Sequence, residues 1–268
     1  MDTAGSASDS CGIDGNPDLY GLGIRISFYL QLITYLCTMY HVVRNDILED
    51  GPAFRFMSQV RAAFIAYALS VFVILVRETV RRTLYAVEVS IVIYLVVPYL
   101  SMVTVDRRWR KDNPVGYRFA LGLFVGFECY LVWFLFAGMD KLHRVSCADD
   151  YIFFFARVNL FGWFRTLLKV MTVPLGVYYT AKFLFLFYHG RNSFDDSMDD
   201  MWDIGMKIDR GQWILILITA VVLAVELSVH WNSIAGVYSL ASPGQLIPLA
   251  SGIGMLGCFF HYWLDYDD

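Results

Sequence analysis

Seven apolar runs follow one another along the 268 residues, each close to the roughly 20 that cross the hydrocarbon core of a bilayer. They lie at roughly 20–43, 59–77, 84–105, 116–138, 170–189, 212–231 and 244–264. In hydrocarbon every backbone polar group must be satisfied within its own structure, so such runs fold as helices. The expected fold is all-α: a polytopic membrane protein whose seven helices form one bundle over 20–264, after a segment at 1–19 and before a tail at 265–268. Composition agrees, with 57% hydrophobic residues, 17% aromatic, 17% charged and a mean hydropathy of +0.51. A net charge of −4 points to no nucleic-acid partner. The opening "MDTAGSASDS" has no basic stretch leading into an apolar core, so the first span rather than a cleaved leader is expected to target the chain.

Two connections are long, at about 139–169 and 190–211. Within the first, "YIFFFARVNLFGWFRTLLKV" (151–170) is aromatic but broken by Arg157, Asn159, Gly162 and Arg165. It reads as an interfacial helix in the fourth loop, the other option being a direct run into span five. Lys and Arg are denser on the side of Arg44, Arg55, Arg61, Arg107, Arg108, Arg110 and Lys111, which places that side in the cytosol. The amino terminus is then lumenal and the carboxyl terminus cytosolic, in the endoplasmic reticulum membrane. No internal repeat marks an inverted-repeat transporter.

Of five cysteines, Cys37, Cys129 and Cys258 fall inside spans, where they serve as small apolar residues. Cys11 and Cys147 lie outside them on the lumenal side, where a Cys11–Cys147 disulfide is expected.

Charges inside the spans carry the functional argument, because each is costly there and needs a partner or a purpose. They are Arg25, Glu88, Glu128, and Glu226 with His230. The alternating path of the chain gathers them in the lumenal half of the bundle, where Asp18, Tyr29, Gln31, Asn159 and Asn232 join them. Arg25 has Glu226 or Glu88 as possible partners, or snorkels to the interface. "NPDLYGLG" (16–23) turns the chain into the membrane, Asn or Asp capping a helix that Pro17 begins, with Gly21 and Gly23 allowing close approach. The cytosolic halves of the spans read as almost uncharged.

The stretches "NPDLYGLGIR" (16–25), "VWFLFAGMD" (132–140), "CADDYIFFFARVNLFGWFRT" (147–166) and "VELSVHWNSIAGVYSLASPGQLIPL" (225–249) resemble a family of fungal integral membrane proteins, and through it the membrane-bound terpene cyclases of the ascochlorin and ascofuranone pathways. The resemblance implies protonation-triggered cyclisation of a prenyl or epoxyprenyl chain in meroterpenoid biosynthesis. It implies a hydrophobic prenylated substrate and no cofactor.

That chemistry needs a protonated acid, and deep burial favours the neutral form of a carboxyl. It also needs electron-rich walls for carbocations. Glu128, nearest mid-span, is the first choice of acid. Glu226 follows, or stabilises positive charge if Arg25 holds it ionised, and Glu88 completes the carboxyls. Arg25, Tyr29, Trp133, Asn159, His230 and Asn232 are expected to line the pocket. "DDSMDD" (195–200) resembles a magnesium–diphosphate motif, but lacks a second copy and lies across the membrane, so it reads as a solvated loop. His41, His189 and His261 read as interfacial, leaving no metal site. "SPGQLIP" (242–248) reads as the entry to span seven, with Pro248 in its first turn. A transporter would instead need a polar path to both faces, and a scaffold would pair every carboxyl.

Overall fold

The computed structural model describes residues 12–44, 52–105, 109–110, 113–144, 150–189 and 210–266. Cys11, Cys147 and the "DDSMDD" stretch lie outside them. A short helix α1 (Pro17–Tyr20) leads into α2 (Leu22–Arg44), followed by α3 (Pro52–Arg81), α4 (Ala86–Val105), α5 (Pro114–Trp133), α6 (Trp163–His189), α7 (Arg210–Trp231) and α8 (Pro243–Tyr266). Six of these helices are long and apolar enough to cross a membrane, and a seventh, α7, carries a shorter apolar stretch, Leu215–Trp231. The described residues are therefore mostly helical, with six to seven apolar helices that could cross a membrane.

The helices surround α2 unevenly. It packs most closely on α8, and also on α3, α4 and α7, while α7 packs on α4 and α5 lies between α4 and α6. The core is aromatic: Phe28 meets Phe64 edge-on at 5.6 Å and Tyr99 lies 5.0 Å from Tyr35. Burying such rings is among the larger stabilising terms available to a bundle, since lipid provides no hydrophobic drive between helices.

At one end of the bundle the loops interlock. Strand β1 (Ile13–Asp14) pairs in parallel with β4 (Ile234–Ala235), joining the amino-terminal segment to the turn after α7. Asn16 caps α1 by accepting the amide of Asp18 at 3.0 Å, with Pro17 as the first helical residue, as the motif leads one to expect.

The fourth loop differs from expectation. No interfacial helix forms among its described residues. Residues Tyr151–Phe153 (β2) and Arg157–Asn159 (β3) make an antiparallel hairpin, and the helix beginning at Trp163 continues straight into span five. The hairpin prevails because its backbone has outside partners. Asn232 takes both polar groups of Tyr151, accepting its amide at 3.0 Å and donating to its carbonyl at 2.6 Å. Ser228 accepts the amide of Phe153, and the Tyr94 hydroxyl donates to its carbonyl at 2.9 Å. Pro248 also departs from expectation: α8 starts at Pro243, so Pro248 lies inside the helix rather than at its entry.

Between α5 and the fourth loop, Phe134–Gly138 form a π-helical turn. The last carbonyls of a helix need donors, and Arg165 supplies them. Its guanidinium donates to the carbonyl of Leu135 at 2.7 Å and grips Asp140 through two bonds, at 2.9 and 2.7 Å.

Candidate functional site

The arginine within the first span has a partner. Arg25 is wholly buried and its Nη1 lies 2.9 Å from Glu226 Oε2. Tyr29, one turn along α2, donates its hydroxyl to Glu226 Oε1 at 2.9 Å. The ring of Tyr238 lies 5.2 Å from the guanidinium, within cation–π range. Glu226 is thus held by two residues of α2, as the expected Arg25–Glu226 pairing requires. Unlike Arg25, its side chain is 37% exposed.

The opening belongs to the helix arrangement. Around α2 stand α8, α3, α4 and α7, each packed on the next, except that α7 and α8 share no comparable contact. The half-exposed stripe of α2 at Ile26, Tyr29, Leu30, Ile33 and Cys37 accordingly faces the gap between them. Glu226 and Tyr29 stand at one end of this gap, beside the half-buried Ile26, Leu30, Ile33 and Cys37 of α2.

Glu88 is not part of that group. Tyr20 donates to its Oε1 at 2.6 Å and the Asn16 amide at 2.9 Å, while the Tyr85 amide donates to Oε2 at 2.8 Å. The last bond is half of a capping box, Glu88 reaching back from the first turn of α4. With its acceptor positions occupied, Glu88 ties the Asn-Pro-Asp turn to α4.

Glu128 stands apart as well. It lies on α5, which packs on α3, α4 and α6, with α4 between it and α7. Its carboxyl is buried, and Oε2 has no hydrogen-bond partner among the described residues. Asn232 is committed to the hairpin, Asn159 accepts the amide of Phe161 within its own turn, and His230 is exposed. Trp133 lines a separate groove of about 350 Å³ with Val76, Val80, Arg82, Lys141 and Leu142. The expected site residues therefore do not share one place, and of them only Arg25, Tyr29 and Glu226 converge.

Three features escaped the sequence reading. Gln245, inside "GQLIP", accepts the Gly23 amide at 2.9 Å and donates to the Pro17 carbonyl at 2.8 Å, so the first and last motifs are two halves of one contact. Tyr20 is the partner of Glu88. Arg61 and Lys182 are both buried in the half of the bundle that reads as nearly uncharged, Arg61 lying 5.5 Å from the ring of Tyr35 and 5.4 Å from that of Trp109. No family model, curated protein or solved structure matches this chain.

Proposed function

We propose that this protein is an intramembrane cyclase acting on an epoxyprenyl chain carried by an aromatic core, in the endoplasmic reticulum membrane. The observation that supports this reading is the Arg25–Glu226–Tyr29 group at the end of the gap between α7 and α8. A long prenyl chain would enter this gap from the lipid, and its reactive end would meet Tyr29 and Glu226.

The chemistry closes without a cofactor. Tyr29 turns its hydroxyl from Glu226 to the epoxide oxygen and gives it the proton as the carbon–oxygen bond breaks, and the chain's π electrons form the ring bonds. Glu226, ion-paired with Arg25, offers negative charge to the cation and accepts the proton lost at the end. The 2.9 Å bond between Glu226 and Tyr29 returns that proton to the phenol. The reaction is an isomerisation, so nothing is oxidised or reduced.

Glu128 is the alternative acid, favoured by its buried Oε2, which has no hydrogen-bond partner among the described residues. A transporter reading draws on Arg61 and Lys182, which place charge in the other half of the bundle. Microsomes carrying the protein, offered epoxyprenylated phenols with products resolved by mass spectrometry, separate these. Tyr29→Phe should lower turnover by orders of magnitude while the folded protein persists, Glu226→Gln should do so per molecule that remains folded, and Glu128→Gln should leave turnover intact. The reverse pattern transfers the acid role to Glu128. An absence of product across the panel removes the enzyme reading.

A further inference from the structure

The groove between α3 and the end of α5 is separate from the Arg25–Glu226 group and has its own chemistry. Val80, Trp133 and Leu142 give it apolar walls, and Thr79 and Tyr130 close its floor, their hydroxyls hydrogen-bonded to one another at 2.7 Å. Arg82 and Lys141 both line it. The other cations at this corner are spent: Arg77 and Arg81 on Glu78, Arg144 and Arg165 on Asp140. Arg82 and Lys141 are in no ion pair among the described residues.

The backbone at Arg82 strengthens the case. The Arg82 amide donates to the Thr79 carbonyl and the Thr83 amide to that of Glu78, the bonding of a Schellman helix end. The residue at that position adopts the left-handed conformation, and Arg82 does so at φ 57°. Glycine takes that conformation without strain, and an arginine does not. Strain of this kind is held by the surrounding structure and clusters at ligand clamps, and Phe155 and Ser233 share it elsewhere in the chain.

We infer that this groove binds an anionic phospholipid, its phosphate between Arg82 and Lys141 and an acyl chain along Val80, Trp133 and Leu142. The charge complementarity is direct, and the groove lies at the end of two spans, where headgroups lie in a bilayer. Two such cations predict a preference over a zwitterionic lipid of about thirtyfold.

Trp133 reports on occupancy. The full chain is reconstituted in nanodiscs of mixed phosphatidylglycerol and phosphatidylcholine, with bromine on the chains of one lipid or the other at equal mole fraction. The Trp133 signal is the difference from Trp133→Phe. Quenching should be markedly stronger with the brominated anionic lipid, and the preference should fall as ionic strength rises. Arg82→Gly should weaken the preference while raising thermal stability, because glycine relieves the strained turn. Lys141→Gln should weaken it without that gain. Equal quenching by the two lipids, or a preference unchanged in Arg82→Gly/Lys141→Gln, overturns the assignment. Displacement of the brominated lipid by millimolar inorganic phosphate overturns it too, since the site would then take phosphate without a lipid.

Discussion

Arg25 and Glu226 show how unequal the two partners of one ion pair are. Removing Glu226 leaves a wholly buried guanidinium without its counter-charge, a loss of about 3–5 kcal/mol for buried pairs. Removing Arg25 leaves a carboxylate already open to the gap, which is less costly. Glu226→Leu is therefore expected to lower thermal stability in detergent more than Arg25→Met, and the double variant to recover part of the Glu226→Leu loss. Additive losses would show that the pair is not coupled. This pairing was legible in the sequence because a charge in an apolar run needs a partner, and the alternating path placed both residues near one face. The partners of Gln245 were not legible, since an amide at a helix entry gives no sign of where it points. The structure makes that contact testable. A methyl group at Gly21 would overlap the Gln245 side chain, whereas one at Gly23 would overlap the Gln245 backbone carbonyl. Gln245→Ala should thus relieve Gly21→Ala but not Gly23→Ala, as measured by melting temperature.

At the scale of elements, the fourth loop was the part least open to reading. Its aromatic run has no clean period of either 2 or 3.6, and its fate rests on groups far along the chain: Tyr94, Ser228 and Asn232. Two large aromatics stay outside the packing, Phe155 at the hairpin tip, 88% exposed, and Trp163 just beyond it. The π-helical turn depends on Arg165 in the same remote way. Hydrogen bonds from Arg165 hold the Asp140 carboxyl below its usual range, with the charges of Arg165, Arg144 and Lys169 adding to the effect. An acid so depressed stabilises the fold fully above its unfolded value, near pH 4, and loses that contribution as pH falls through the folded value. Asp140→Asn should therefore flatten the decline of melting temperature below about pH 4. Because Asp140 is half-exposed, the change at neutral pH should stay below about 1 kcal/mol. Arg165→Met should cost more, about 1–3 kcal/mol, because it also strips a donor from the Leu135 carbonyl.

For the whole molecule, the number of crossings decides how every site relates to the two compartments. The helix α7 is the critical member: its described apolar stretch has 17 residues, at the short end of what spans a bilayer, yet it packs on both α2 and α4 and carries Glu226 into the bundle. If α7 crosses, the chain makes seven passages and its two ends lie on opposite sides. If α7 merely lies against the bundle, the ends share a side. The polar ties between β1 and β4, and between Gln245 and the Asn-Pro-Asp turn, require the entry of α2, the exit of α7 and the entry of α8 to meet at one face. That arrangement is met when α7 starts at the opposite face, so the expected result is an odd number of crossings. Glycosylation acceptor sites added to each end in turn should then be modified at one end only. From the charge distribution the end expected to be modified is the amino-terminal one, the richer set of Lys and Arg being expected on the other side. Modification at both ends, or at neither, would remove α7 as a span and with it the lateral gap between α7 and α8.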